Sequence, residues 1–558
     1  MYFIMLSIFS TIKFQTGFSL NAVNLIFLIY ISLSCTHSEK KTIQTDICIL
    51  SGSEAGFIAA IQAARMGKMV VLIEPTGHPG GMMVEGIAKD IRFGSILVIG
   101  GIAREIYTAI ETHYEREAHF DDPSWFPRFE PHVAEAIIEQ FLAKEKGIRI
   151  IRNTRIREGE GVKKAGTEIE SILLENGIEI SARIFIDASI EGDLLHFAGV
   201  STETIREGNE KYGETKNGIQ VVNTYRQFEV NVDPYIVPGN PTSGLIPTIQ
   251  PGGLGEQGAP SKYIQGYCYR LVLTREAGNR LMIDKPEKYD PRNYEIYRRY
   301  LKAGGELFYP QATRPNGKTD LGSWHDLSAN LYGENWDYPA GDYTTKARVV
   351  KYHEDFTRGL IWFLQHDPEV DQSTRANWDG WGLCKDEFTD NGGWPRRLYI
   401  RSARRMVSDY VITEYHTRRD NEQRVSDPVA IAWWPPDAHH ARRIVKDGYA
   451  YDEGFVFGGD DWRPFGVSSK ALIPLPEECT NLITPTCPSS SYVAYGAIRI
   501  LPTFMILGQS AGCAAAMALE RDQTVQELDY PSLREKLIDA RQILEIPGNW
   551  LEIITTQN

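Results

Sequence analysis

Residues 46–74 constrain this chain more than any other stretch. Asp46-Ile-Cys-Ile-Leu50 is a short apolar run suited to a strand buried on both faces. Ser51-Gly-Ser-Glu-Ala-Gly56 interrupts it, and an Ala-rich helix follows over 57–66. Gly67 is a usual helix stop, and Met69-Val-Val-Leu-Ile73 is a second buried strand closing on Glu74. Strand, tight turn, helix, strand and acid form the order of a dinucleotide-binding βαβ start. Phosphate oxygens need backbone N–H groups and positive dipole, and a helix N-terminus supplies both. Gly52, Ser53 and Ala55 are small enough for the backbone to approach a pyrophosphate. Gly56 lets helix and strand pack closely, and Glu74 falls about 20 residues on, where a carboxylate accepts from ribose hydroxyls. The turn is degenerate, with Ser51 and Ser53 where two glycines would stand. Spacing alone leaves FAD and NAD both open.

The remaining totals set bounds. A chain of 558 residues with 42% hydrophobic and 24% charged residues is globular and long enough for several domains. A net charge of −14 repels a polyanion, which argues against nucleic acid as a partner. The seven cysteines include no CxxC pair and no zinc-like Cys/His spacing. Cys479 and Cys487 read as buried free thiols. Asp320, Asp342, Asp386 and Asp390 are scattered acids without EF-hand spacing, so no required metal is expected. Residues 23–33 form an apolar run too short for a confident membrane span. Ser34, Cys35 and a polar stretch follow it. Residues 1–40 therefore read as an export segment, with Cys35 as the lipidated residue of a periplasmic or outer-membrane lipoprotein.

Further motifs choose between the two dinucleotides. Glu74-Pro-Thr-Gly-His-Pro-Gly-Gly-Met82, Ile99-Gly-Gly-Ile-Ala-Arg-Glu105, Ile186-Asp-Ala-Ser-Ile-Glu-Gly-Asp193, Lys385-Asp-Glu-Phe-Thr-Asp-Asn-Gly-Gly-Trp-Pro395 and Phe504-Met-Ile-Leu-Gly-Gln-Ser-Ala-Gly512 occur in that order. This series resembles a family of FAD-dependent oxidoreductases with a glutathione-reductase-like FAD fold, some bacterial members of which carry the label xanthan lyase. The resemblance spans about residues 44–545. The family's usual first turn is Gly-Gly-Thr-Pro-Ala-Gly, from which Ser51 departs. The resemblance implies FAD as cofactor. It also implies that Gly80, Gly81 and Met82 form a loop passing near the phosphates and the flavin. Asp187 and Ala188 end a strand where a dinucleotide approaches closely. Gly508 and Ser510 lie where a late helix, read over 509–516, directs its positive end at the flavin's pyrimidine side. His78 reads as a solvated loop histidine, not a covalent flavin link.

The substrate side is less legible. Pro436-Asp437-Ala-His439-His440-Ala-Arg442 is the best catalytic cluster. Imidazole titrates near working pH, so His439 or His440 is a candidate to take a hydroxyl proton as hydride leaves the adjacent carbon, with Asp437 orienting it. Arg270, Lys385 and Asp386 are candidates to contact polar substrate groups. Trp336 and Trp394 read first as core.

These readings combine into an α/β fold: a discontinuous, Rossmann-like FAD-binding domain with an inserted α+β substrate or cap region. The parts are an export segment over 1–40, FAD-binding residues 42–204, the insertion 205–465, FAD-binding residues 466–530 and a helical tail 531–558. The expected reaction is hydride transfer from a small or carbohydrate-derived substrate to flavin N5, with an electron acceptor the sequence does not name. The alternative is a carbohydrate-binding or lyase-like protein in which the flavin is structural. The partners expected are a small-molecule or saccharide substrate, an electron acceptor and, only through a lipid anchor at Cys35, a membrane.

Overall fold

The first strand, β1 (Thr42–Leu50), has its last four residues wholly buried, as a strand covered on both faces requires. Ser53 caps the helix after it, α1 (Glu54–Arg65), its Oγ accepting from the Gly56 N–H at 3.3 Å. Gly67, at φ +79°, ends the helical stretch in the left-handed region. β2 (Val70–Glu74) then lies parallel to β1, with Ile47 opposite Val70 and Leu50 opposite Ile73. The computed structural model describes residues 41–557 apart from 89, 90, 224, 324–326, 422, 423 and 460. The export segment and Cys35 lie outside the described residues.

Within the unit Ile43–Asn558, the chain continues through α2 (Gly101–His113), α3 (Pro131–Lys144), β3 (Ile148–Arg152), β4 (Val162–Ala165), β5 (Glu168–Leu173) and β6 (Glu179–Asp187). After the long helix α4 (Tyr343–His366) come β7 (Leu482–Ile483) and α5 (Leu501–Arg521). These strands make one seven-stranded sheet in the order β3-β2-β1-β6-β5-β4. Antiparallel β5 borders the first half of β6, and parallel β7 borders its second half. The chain thus returns after some 300 residues to complete the sheet that it began, which is the discontinuity expected of the FAD-binding domain. Strand order reverses between β1 and β6, and the crevice above such a switch point is where open α/β sheets bind ligands.

α5 begins at Leu501, eight residues before the start read from the sequence, with Pro502 inside its first turn. Its apolar length would suffice to cross a membrane, yet 94% of its most apolar stretch is buried inside the protein. The helix packs flush on α1. A Cβ on Gly512 would stand 2.6 Å from the Ala59 carbonyl oxygen, and one on Gly508 would collide with the backbone of Ala55. This helix pair anchors the main core, built from residues such as Phe57, Ile61, Ile186 and Leu507.

The insertion carries a separate, aromatic core around Tyr294, Tyr297, Tyr300, Trp378 and Trp394, closed by Phe356 and Phe363 of α4. Its strands are short and antiparallel, in two-stranded pairs and one three-stranded sheet of Leu273–Thr274, Gly382–Cys384 and Arg280–Leu281. One of these, Phe465–Ser468, straddles the boundary read at 465 and pairs with Pro428–Ala432. Both segments contribute to the main core. Cys479 and Cys487 are buried free thiols.

Gly508→Ala tests the close helix contact. Overpacking of this kind costs about 1–3 kcal/mol, so the variant should melt at a lower temperature. Gly548→Ala, with open space around the added methyl, should not. Equal melting points for the two variants would contradict the packing described.

Candidate active site

A cavity of about 390 Å³ opens at the β1/β6 switch point. Ser53 and Glu54 of the first turn, Gly81 and Met82 of the loop after β2, and Ser189 and Glu191 after β6 line it. The insertion supplies Tyr343 and Lys346 of α4 and the segment 396–400. Arg499, Leu501 and Phe504 complete the wall.

The first turn is built around a buried carboxylate. Glu74, fully buried, accepts from the N–H of Gly52 at 2.9 Å and from the N–H and hydroxyl of Thr76, each at 2.7 Å. The Arg397 guanidinium also donates to it. Burial acts against the charge of Arg397, and Glu74, Glu85, Glu191 and Glu54 offset it, so the guanidinium is held charged more firmly than usual. Ser53 donates to the Ala188 carbonyl at 2.6 Å, stitching the turn to the end of β6. Gly56 has no room for a Cβ against Ser51 and Ala188. Ser51 itself sits at φ +73°, a conformation that costs an L-residue about 1–2 kcal/mol.

The other candidates for cofactor contact sort by position. Gly81 and Met82 line the cavity, and Gly80 precedes them at φ +130°. Asp187 does not reach the cavity. Its carboxylate, raised to about 6 by burial, accepts from Ser189 and from the Leu195 N–H and so shapes the turn after β6. Ala55 and Ala188 are buried packing residues. Gly508 and Ser510 lie in the body of α5: Gly508 meets Ala55, and Ser510 donates to the Val429 carbonyl at 2.6 Å. Because the helix starts at Leu501, it is Leu501 and Phe504 that face the cavity, and the placement read for Gly508 and Ser510 is corrected accordingly. His78 bridges two carboxylates, Nδ1 to Glu135 at 2.5 Å and Nε2 to Asp390 at 3.1 Å, so both ring nitrogens are engaged.

On the substrate side, Asp437, His439 and His440 do not line the cavity, and both histidines are buried behind its wall. His439 approaches Asp437, with Nε2 3.7 Å from Oδ1, and Asn330 meets its Nδ1 at 3.3 Å. Burial, then Arg401, Arg226 and Arg499, push its pKa well below the usual imidazole value, so it is neutral at pH 7. His440 faces Asn223, at 2.7 Å, and Tyr332, within the buried network of Arg443 and Asp452. Arg499 joins the first of these groups to the cavity wall, donating to the Tyr399 hydroxyl at 2.7 Å and to the Asp437 carbonyl at 2.8 Å.

Arg270, Lys385 and Asp386 are not brought to the cavity. Arg270 pairs with buried Asp320, and exposed Lys385 donates to the Gly278 carbonyl. Asp386 holds Lys318 at 2.8 Å. Glu130, His132 and Asp386 come close enough to ligate a metal ion, but the Lys318 ammonium already stands among these acids, 2.6 Å from Glu130 and 2.8 Å from Glu387. Trp394 is core. Glu54, Arg397, Tyr399 and Arg499 were not read as site residues from the sequence. The pair Arg396-Arg397, directly after Trp394-Pro395, was the one local signal available.

A capped helix N-terminus, backbone that approaches where no Cβ intrudes, a carboxylate closing β2 and a guanidinium beside it define a dinucleotide-binding flavoprotein site, and they fit FAD. Residues 46–537 match the model of the FAD dependent oxidoreductase family, and the chain belongs to that family. No curated protein matches it. Among solved structures, a Pseudomonas aeruginosa PqsL mutant is similar at 15% identity over 29% of this chain and 48% of its own, with a TM-score of 0.24. Thermovibrio ammonificans THI4 is similar at 17% identity over 34% of this chain and 76% of its own, with a TM-score of 0.22. L-proline dehydrogenase from P. horikoshii is similar at 18% identity over 31% of this chain and 26% of its own, with a TM-score of 0.17. The chain thus spans about half of PqsL and about a quarter of the proline dehydrogenase.

Ser51→Gly removes the strained backbone conformation without touching a side-chain contact to Glu74. It should raise the melting temperature, with a gain of about 1–2 kcal/mol, and should not weaken FAD binding. A lower melting temperature would show that the serine side chain contributes more than its backbone costs.

Proposed function

We propose that this enzyme oxidises a small or carbohydrate-derived substrate at a hydroxyl-bearing carbon, by hydride removal. FAD, when bound, supplies the hydride acceptor at N5. One observation carries the reading: the Tyr399–Arg499–Asp437–His439 line, which connects the cavity wall to an imidazole that is neutral at pH 7. A neutral imidazole has a lone pair for the substrate's hydroxyl proton. The Asn330 amide nitrogen faces Nδ1 at 3.3 Å; with that amide turned over, its oxygen accepts from an Nδ1–H, the tautomer that leaves the Nε2 lone pair free to accept. Asp437 faces that same Nε2 and stabilises the imidazolium that forms. Arg499 fixes Asp437 through its backbone carbonyl and lends positive charge to the cavity wall. His440 supports the pair by filling the buried space behind it.

Anaerobic addition of hydroxyl-bearing sugars and sugar acids to the yellow holoenzyme should bleach the flavin absorbance for a true substrate. His439→Gln should keep the flavin spectrum and slow the bleaching by about 10²–10⁴-fold. Because the base works deprotonated and its pKa lies well below 6.5, the bleaching rate should stay flat as pH falls through 6.5 and drop only at lower pH. A substrate bleached at the same rate by His439→Gln would remove His439 from the mechanism. Turnover of a saccharide without any bleaching would favour the reading in which the flavin is structural.

The same proposal places the mature chain outside the cytoplasm, held by a lipid on Cys35, since the apolar run of residues 23–33 ends two residues before that cysteine. Cys35→Ser should move the protein from the membrane fraction to the soluble fraction. An unchanged distribution would rule the anchor out.

A further inference from the structure

The N-terminus of α1 should offer its N–H groups to the cofactor's pyrophosphate. In this chain another anion is already there. Glu54, the first residue of α1, is 5% exposed and lines the cavity. Its carboxylate accepts from the N–H of Met82, and the N–H groups of Met83 and of Glu54 itself also act on it. A Cβ on Gly81 would collide with that carboxylate. The side chain thus fills the gap between the first turn and the Gly80-Gly81-Met82 loop, the gap that a dinucleotide phosphate has to enter.

We propose that the Glu54 carboxylate is a stand-in anion on the pyrophosphate seat, and that FAD loads only with uptake of one proton from solvent, which discharges this side chain. A carboxylate and a pyrophosphate crowded onto the same N–H groups repel at close range in a poorly solvated site. Protonation removes that repulsion and turns one carboxyl oxygen into a donor that can face a phosphate oxygen.

The surroundings favour this exchange. The charged groups around Glu54 are Arg397, which acts on it directly, Arg396, Glu191, Asp193 and Lys346 on the same cavity wall, and Glu74 and Glu85, which act with it on Arg397. Arg397 favours the charged form of Glu54, but burial dominates and raises its pKa to about 7. Glu85 is also raised to about 7 by burial, but it accepts from the Arg396 N–H at 2.7 Å and does not line the cavity. A dianion arriving beside Glu54 raises its pKa further, so binding takes up a proton. FAD affinity should therefore be highest below about pH 7 and fall as pH rises, by up to tenfold per pH unit for one linked proton.

The experiment uses the full chain, stripped of flavin and titrated with FAD by fluorescence from pH 6 to 8.5. Calorimetry in buffers of different ionisation enthalpy counts the protons. FAD has no group that titrates in this range. The wild type should lose about tenfold in affinity between pH 7 and 8.5 and take up close to one proton per FAD at pH 8. Glu54→Gln should bind with less than about twofold variation and no proton uptake, and more tightly than wild type at pH 8.5. Glu85→Gln should keep the wild-type slope. A flat wild-type profile without proton uptake overturns the proposal, as does an unchanged slope in Glu54→Gln. The wild-type proton count needs no variant, so it decides the matter even if Glu54→Gln fails to fold.

Discussion

The Glu74 carboxylate is the contact on which the site's geometry depends. It draws together the turn after β1, the end of β2 and Arg397, a residue 323 positions further along the chain. A buried carboxylate is tolerated only when its lone pairs are satisfied, and here four donors do so. The cost of breaking that set keeps the insertion pressed against the Rossmann-like sheet and so holds the cavity's two walls in register. The same set alters the role read for this acid. A ribose hydroxyl must share or displace one of four existing donors, and the Thr76 hydroxyl, which belongs to a rotatable side chain, yields most easily.

Around that anchor the cavity wall carries both signs, with Glu54, Glu191, Asp193 and Glu354 set among Arg155, Lys346, Lys351, Arg396, Arg397 and Arg499. Glu54, Glu74, Glu85 and Glu191 all act on Arg397, and Arg396 is shared among Glu85, Glu135 and Asp390. Backbone N–H groups and the helix dipole act there beside these cations. The acids around them keep the two arginines fixed. They leave little positive charge uncommitted, so the protonation of nearby acids governs the balance when an anion enters.

How far the sequence revealed this depended on distance along the chain. The β1–turn–α1–β2 unit was legible because its signals are local: apolar runs, small turn residues and a helix-ending Gly67. The Gly80-Gly81-Met82 loop was legible through its resemblance to a family. The start of α5 was not. A helix buried on all sides has no amphipathic stripe, and Pro502 breaks the apolar pattern even though the first turn accommodates it. Phe504 was therefore read as part of a lead-in, and Gly508 and Ser510 as the helix entrance. Arg270, Lys385 and Asp386 failed for a different reason. Charge marks a residue as a possible substrate contact, but a sequence does not show that Asp320, the Gly278 carbonyl and Lys318 already hold those charges.

The catalytic cluster shows how backbone periodicity refines such a reading. In an extended segment neighbouring side chains point to opposite faces, and residues two apart share one. The chain is a strand at Asp437–Ala438, and strand structure resumes at Arg442–Lys446. Asp437 and His439 accordingly meet, at 3.7 Å, on the side where Arg499 reaches the cavity wall. His440 turns the other way, into the Arg443–Asp452 network with Tyr332. Two adjacent histidines are thus not a redundant pair. The i, i+2 combination of acid and imidazole lies behind the cavity wall and is joined to it through Arg499, and a histidine at 440 belongs to the neighbouring buried network.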